Sequence, residues 1–179
     1  MIIRKLFRFE GAHIVRNCTS VRCRENIHGH SYVVEVFVES DVLDRGYMVM
    51  DFALMSRIKE FIDGFDHSYS LWRGEPGEFK DFVRKYNRRV VEIPLSPSAE
   101  GYALMFLYVL DKIVGGMKFR NGEGQVCVSS VRVHETATGY AEAFRADLAL
   151  VDFALADFDF SPDITSEWEG DWWKDVCVE

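Results

Sequence analysis

The chain has 179 residues, enough for one domain with a substantial core. Its 48% apolar and 28% charged content is that of a globular protein, and no apolar run is long enough to cross a bilayer. A net charge of −8 argues against binding nucleic acid through its phosphates.

The opening residues show no leader-like pattern and run straight into alternation. Over residues 2–13, Phe7, Phe9, Gly11 and His13 share one face, which predicts a strand. Residues 14–27 are polar and rich in Arg, Asn, Cys and Ser, and are expected to form a loop. Residues 28–40 predict a second strand, with His28, His30, Tyr32, Val34, Val36 and Val38 on one face. Antiparallel pairing of the two strands makes their histidine-bearing faces coincide.

Asp51 is a good N-cap for a helix carrying Phe52, Met55, Ile58, Phe61 and Ile62 at helical spacing, and Gly64 suits its end. Residues 68–95 are expected to be irregular, with a short helix near 78–86. Ser96-Pro97-Ser98-Ala99-Glu100 reads as a helix start, and that helix should stop at Gly115-Gly116. Two more strands are expected at 125–135 and 139–150. The order β-β-α-α-β-β predicts an α+β fold, with two helices on one face of a four-stranded antiparallel sheet. Residues 1–150 are read as a single domain and residues 151–179 as an extension. From residue 146 onward the chain carries ten Asp or Glu and one Lys. Phe153, Phe158, Phe160, Trp168, Trp172 and Trp173 in that stretch argue against plain disorder and for packing on the body or on a partner subunit.

Three of the five histidines fall within eighteen residues. His13, His28 and His30 on adjoining strands make an open three-nitrogen site, the arrangement by which catalytic zinc keeps a position for substrate. A zinc-finger set of Cys18, Cys23, His28 and His30 fails because finger histidines stand further apart. Cys23 lies between Arg22 and Arg24, a setting that favours a thiolate able to act as a base. The four cysteines (18, 23, 127 and 177) form no disulfide framework, so a reducing cytoplasm is expected. Asp66 beside His67 is either a surface pair or a carboxylate orienting an imidazole through a turn. Glu135 at a strand end is either solvated or an acceptor for a planar guanidine-like edge. Glu100 in a first helical turn can simply complement the helix dipole.

Together these residues resemble the 6-pyruvoyl- and 6-carboxy-tetrahydropterin synthase family. The motifs are Phe9-Glu10-Gly11-Ala12-His13, Cys23 before His28-Gly29-His30, Met50-Asp51-Phe52, Phe65-Asp66-His67, Ser98-Ala99-Glu100 and Val133-His134-Glu135-Thr136, over about residues 3–145. The resemblance implies the tunnelling fold (T-fold), homo-hexamers built as a dimer of trimers, and active sites between subunits. It implies zinc on His13, His28 and His30, and Cys23 as the proton-abstracting residue. Asp66 and His67 become a second acid/base unit, and Glu135 a pterin anchor with Glu100 and Ser98 nearby. The implied substrate is 7,8-dihydroneopterin triphosphate, with no nucleic acid or membrane partner. Arg16, Arg22 and Arg24 are candidates, on charge alone, to meet the triphosphate.

Three functions follow. The first is a zinc lyase making 6-carboxy-5,6,7,8-tetrahydropterin, acetaldehyde and triphosphate on the way to queuosine. The second is a 6-pyruvoyl-tetrahydropterin synthase. The third is a non-enzymatic zinc- or pterin-binding module. Glu25, in the same loop as Cys23, gives a minor variant in which a glutamate replaces the cysteine. Ser98 stands where a Thr is usual and Phe65 where a Leu is usual. The 68–95 segment and the acidic tail are extra.

Overall fold

The computed structural model describes residues 1–168 and Trp172. Trp173 and Cys177 lie outside the described residues. The first hairpin follows from alternation. Strand β1 (Ile2–His13) pairs antiparallel with β2 (His28–Ser40), Ile2 opposite Glu39 and His13 opposite His28. Phe7 and Phe9 on β1 and Tyr32, Val34, Val36 and Val38 on β2 turn one face into the core. The link between the strands is not wholly a loop, because Val21–Glu25 forms a short helix, α1.

Asp51 caps as expected, its Oδ1 accepting the Ala53 N–H at 2.8 Å, but the first turn is 3-10 (Phe52–Met55). Helix α2 (Ser56–Asp63) then buries Ile58, Phe61 and Ile62 and ends at Gly64. The segment expected to be irregular is a β-α-β unit: β3 (Ser68–Trp72), α3 (Gly77–Tyr86) and β4 (Val90–Ile93). Ser68 to Leu71 are all buried, so the strand presents no polar alternation from which it could be recognised. Helix α4 (Ala99–Gly115) is capped by Ser98, not Ser96, and is nearly apolar all round. Strands β5 (Val126–Thr136) and β6 (Gly139–Phe144) form the last long hairpin, and Arg145–Leu150 turns into 3-10 helix where strand was expected.

The sheet therefore has seven strands, ordered β6-β5-β2-β1-β3-β4-β7, where β7 is Asp159–Phe160. The expected antiparallel quartet β6-β5-β2-β1 is present. It is extended by β3, which runs parallel to β1, by β4 parallel to β3, and by β7 antiparallel to β4. Helices α2 and α4 join one core with Phe9, Tyr32, Val34, Val131 and Val133. Helix α3 packs Val83 with Tyr69, Leu71 and Val90 in a second cluster, against Ala12 of β1, whose neighbour His13 points the other way.

The acidic stretch packs on the body. Phe158, Phe160 and Trp168 are buried in the main core, and the short helix α5 (Pro162–Thr165) adds Ile164. Ion pairs fasten it: Arg73 with Asp157, Arg88 with Asp163 at 2.7 Å, and Arg89 with Glu167 at 2.7 Å.

Candidate active site

The register of β1 and β2 makes the centre. His13 faces His28 directly, and His30 lies one same-face step further along β2. The His13 and His28 Nε2 atoms are 3.0 Å apart, and the three rings offer ligand atoms within 4.8 Å of one another. Gly29 is required between the two histidines. A Cβ there would stand 2.7 Å from the Gly11 carbonyl oxygen across the hairpin.

Each of the facing rings is oriented by a carbonyl. His13 Nδ1 lies 2.6 Å from Pro97 O, and His28 Nδ1 lies 2.9 Å from Asn26 O. A carbonyl only accepts, so both Nδ1 atoms carry the proton and both Nε2 atoms present lone pairs. His13 is fully buried. Burial lowers its pKa from 6.5 to about 4, the Pro97 carbonyl opposing and the neighbouring His28 and His30 assisting. Protonation of His13 at neutral pH therefore does not relieve the 3.0 Å approach of the two Nε2 atoms. A cation does, and three converging imidazoles, two of them oriented by backbone carbonyls, are the donor set that zinc takes. Among the described residues the group that converges this way is His13, His28 and His30; Cys18 and Cys23 do not join it.

Glu135 closes one side. It follows Val131 and Val133 on the core face of β5, where the ladder shifts register between His134 and Thr136. Its Oε1 stands 3.7 Å from Nε2 of both His13 and His30. Tyr32, two residues beyond His30, places its hydroxyl 3.2 Å from His13 Nδ1. Burial holds that phenol firmly protonated, with Tyr102 and Glu135 adding to the effect.

Asp66 and His67 are joined through a turn. His67 has φ +53°, and this left-handed backbone lets its Nδ1 meet Asp66 Oδ2 at 2.8 Å. The turn is pinned to β1: the Glu10 N–H donates to Asp66 Oδ1 at 2.7 Å, and the His67 N–H donates to Glu10 O at 2.7 Å. Partial burial works against ionisation of Asp66. The Glu10 N–H, His67 and Arg89 outweigh it and hold the carboxyl below the usual range. Arg89 also donates to Asp66 O at 3.0 Å and Asp63 O at 3.3 Å. A cavity of about 440 Å³ has His30 and Ser31 on one wall and His67, Tyr69 and Asn87 on the other.

Cys23 sits half-buried in α1, its carbonyl accepting the Val15 N–H at 3.0 Å. That bond ties its loop to the strand end that carries His13. Ser98 spends its hydroxyl on the Gly101 N–H at 3.1 Å, and Glu100 is exposed in the first turn of α4. Pro97 brings both near the centre, since its carbonyl holds His13. Arg16 is not available to a phosphate: its guanidinium is bound to Glu75. Sequence reasoning missed Tyr32 and Pro97. Tyr32 was visible as the next residue on the His30 face; a backbone acceptor from residue 97 left no trace in composition or spacing.

The family model for 6-pyruvoyl tetrahydropterin synthase matches residues 2–146. The chain belongs to that family. It is 48% identical over 173 residues to a 6-carboxy-5,6,7,8-tetrahydropterin synthase from Helicobacter pylori J99, covering 94% of this chain and 86% of the relative. It is 36% identical over 157 residues to the protein of the same name from Aquifex aeolicus, covering 78% of this chain and 95% of that one. Among solved structures, an uncharacterised protein from Wolinella succinogenes superposes with a TM-score of 0.64 at 24% identity, over 81% of this chain and 98% of that one. The 6-pyruvoyltetrahydropterin synthase of Plasmodium vivax gives 0.59 at 20% identity, with the same coverage. These structures share the T-fold.

Proposed function

We propose that this chain is a zinc-dependent lyase converting 7,8-dihydroneopterin triphosphate to 6-carboxy-5,6,7,8-tetrahydropterin, acetaldehyde and triphosphate, a step toward queuosine. The convergence of three imidazoles beside Glu135 carries the reading. The name shared by relatives at 48% and 36% identity favours the carboxy product over the pyruvoyl one.

His13, His28 and His30 hold the zinc, which when bound supplies Lewis-acid stabilisation of negative charge developing on the substrate side chain. Cys23 takes a proton from the side-chain carbon. Asp66 fixes the His67 imidazole by its Nδ1, so protons pass through Nε2. Glu135 accepts the paired N–H donors of the pterin edge, and Ser98 and Glu100 border that pocket. Arg22 remains the candidate to meet the triphosphate, since the Arg24 guanidinium donates to Glu25 and to the Cys18 carbonyl, each at 3.2 Å. His67 is 74% exposed on this chain, which fits a site completed by a neighbouring subunit of a cytoplasmic homo-hexamer.

The test is to incubate zinc-loaded protein with 7,8-dihydroneopterin triphosphate and weigh the products. Carboxy-pterin with stoichiometric acetaldehyde is expected. A pyruvoyl product without acetaldehyde transfers the chain to the second reading, and no consumption leaves a binding module.

A further inference from the structure

Arg16 lies three residues beyond His13, yet its side chain leaves that segment. Its Nε donates to both carboxylate oxygens of Glu75, at 2.8 and 3.1 Å. Its Nη1 donates to the Arg24 carbonyl at 2.9 Å. Its guanidinium lies over the Phe79 ring, 5.2 Å from the centroid. Glu75 follows β3 and Phe79 belongs to α3, so one side chain joins the Cys23 loop to the β-α-β unit.

The contact is buried where it matters, because the Glu75 side chain is 2% exposed. A carboxylate in that position is stable only with its partner in place, and such pairs add geometry more than net stability. Arginine suits the role because its flat fork reaches a carboxylate through Nε and a backbone carbonyl through Nη1 while its face stacks on an aromatic ring. The effect reaches Cys23 through the backbone. Arg24, the next residue, is held by Arg16; the Cys23 carbonyl is held by Val15, the residue before Arg16. Two successive carbonyls in the C-terminal half of α1 are thereby fixed.

We propose that the Arg16–Glu75 pair, seated on Phe79, is a positioning device that fixes the Cys23 loop against the β-α-β unit. It touches no substrate and sets where the thiol stands. The extra segment of this chain thus braces one half of the acid/base machinery. The proposal rests on the role given to Cys23 above.

The experiment uses the full zinc-loaded chain, 7,8-dihydroneopterin triphosphate and amide hydrogen exchange. Arg16→Lys keeps the charge but loses the fork and the stack; Glu75→Gln removes the partner charge; Phe79→Leu leaves the ion pair and removes its seat. The first two should lower kcat on the order of tenfold to a hundredfold with KM within about twofold, as a misplaced reacting group does. Exchange at Val15 should accelerate while β5 and α4 keep their protection. Phe79→Leu should give a smaller fall in the same direction, and it carries the test with Arg16→Lys should Glu75→Gln not fold. Wild-type kcat despite accelerated exchange at Val15 overturns the proposal. So does exchange that accelerates evenly over the whole chain. Turnover retained by Cys23→Ala overturns the role of Cys23 itself, an outcome distinct from a dead Cys23→Ala beside an unimpaired Arg16→Lys.

Discussion

Gly29 shows how far single residues set this centre. It separates His28 and His30 on one strand face and has no room for a side chain, since its Cβ would meet the Gly11 carbonyl at 2.7 Å. That obstacle is backbone, so it yields only if the hairpin parts. Gly29→Ala should therefore cost zinc: metal analysis should show well under one ion per chain, and full occupancy would contradict the account. Cys23→Ala should do the opposite, abolishing turnover with zinc content unchanged, because the thiol lies outside the convergent imidazoles. The histidine cluster was legible in the sequence because strand period alone puts His28 and His30 on one face and His13 on the matching face of its neighbour. The joining of Asp66 to His67 was legible only as an alternative. It depends on a left-handed backbone at a non-glycine residue, which local preference disfavours and the Glu10 contacts enforce.

At the scale of elements, what could be read and what could not divides by burial. Strands β1 and β2 have one face to the core over most of their length and alternate visibly. Strands β3 and β4 are covered on both sides and lose alternation, so the β-α-β unit escaped notice although its helix did not. The docking of the tail is a second case: aromatic content announced packing, but not where. The place is marked by Gly64, whose backbone is ordinary right-handed helix and whose missing side chain serves Trp168. A Cβ at position 64 would stand 2.8 Å from the Trp168 ring. Gly64→Ala should lift the tail, raising proteolytic cleavage after residue 150 with little loss of core protection. Unchanged cleavage would mean that the ring simply shifts. Arg89 spans the same junction, binding Glu167 of the tail while donating to the Asp66 carbonyl. Arg89→Met should lower kcat through the loosened Asp66–His67 turn by about tenfold; a wild-type kcat would show that the Glu10 contacts suffice.

For the molecule as a whole, the face of the quartet β6-β5-β2-β1 opposite α2 and α4 is organised around a buried charge. Glu35 is 4% exposed, yet it points away from the apolar core, between Arg4 at 2.6 Å, His134 at 2.7 Å and Arg132 at 3.5 Å. Arg132 in turn binds Glu142 and stacks over Tyr140 and Phe37, so four strands share one network. Burial pushes the Glu35 carboxyl up, but the His134 and Arg4 hydrogen bonds and the charges of Arg4 and Arg132 outweigh it, and the pKa falls below its ordinary 4.5. The sign follows from linkage. A group whose folded pKa is depressed contributes stability above its unfolded pKa, and that contribution is lost as pH falls toward the folded value. Glu35→Gln should therefore destabilise the protein near neutral pH by about 2 kcal/mol, the scale of a charged hydrogen bond lost with its partners left buried. The gap between wild type and variant should narrow as pH drops below 4.5. Urea unfolding of both proteins across that range measures it directly. A gap that stays constant with pH would assign the loss to side-chain shape and remove the charge from the account of this face.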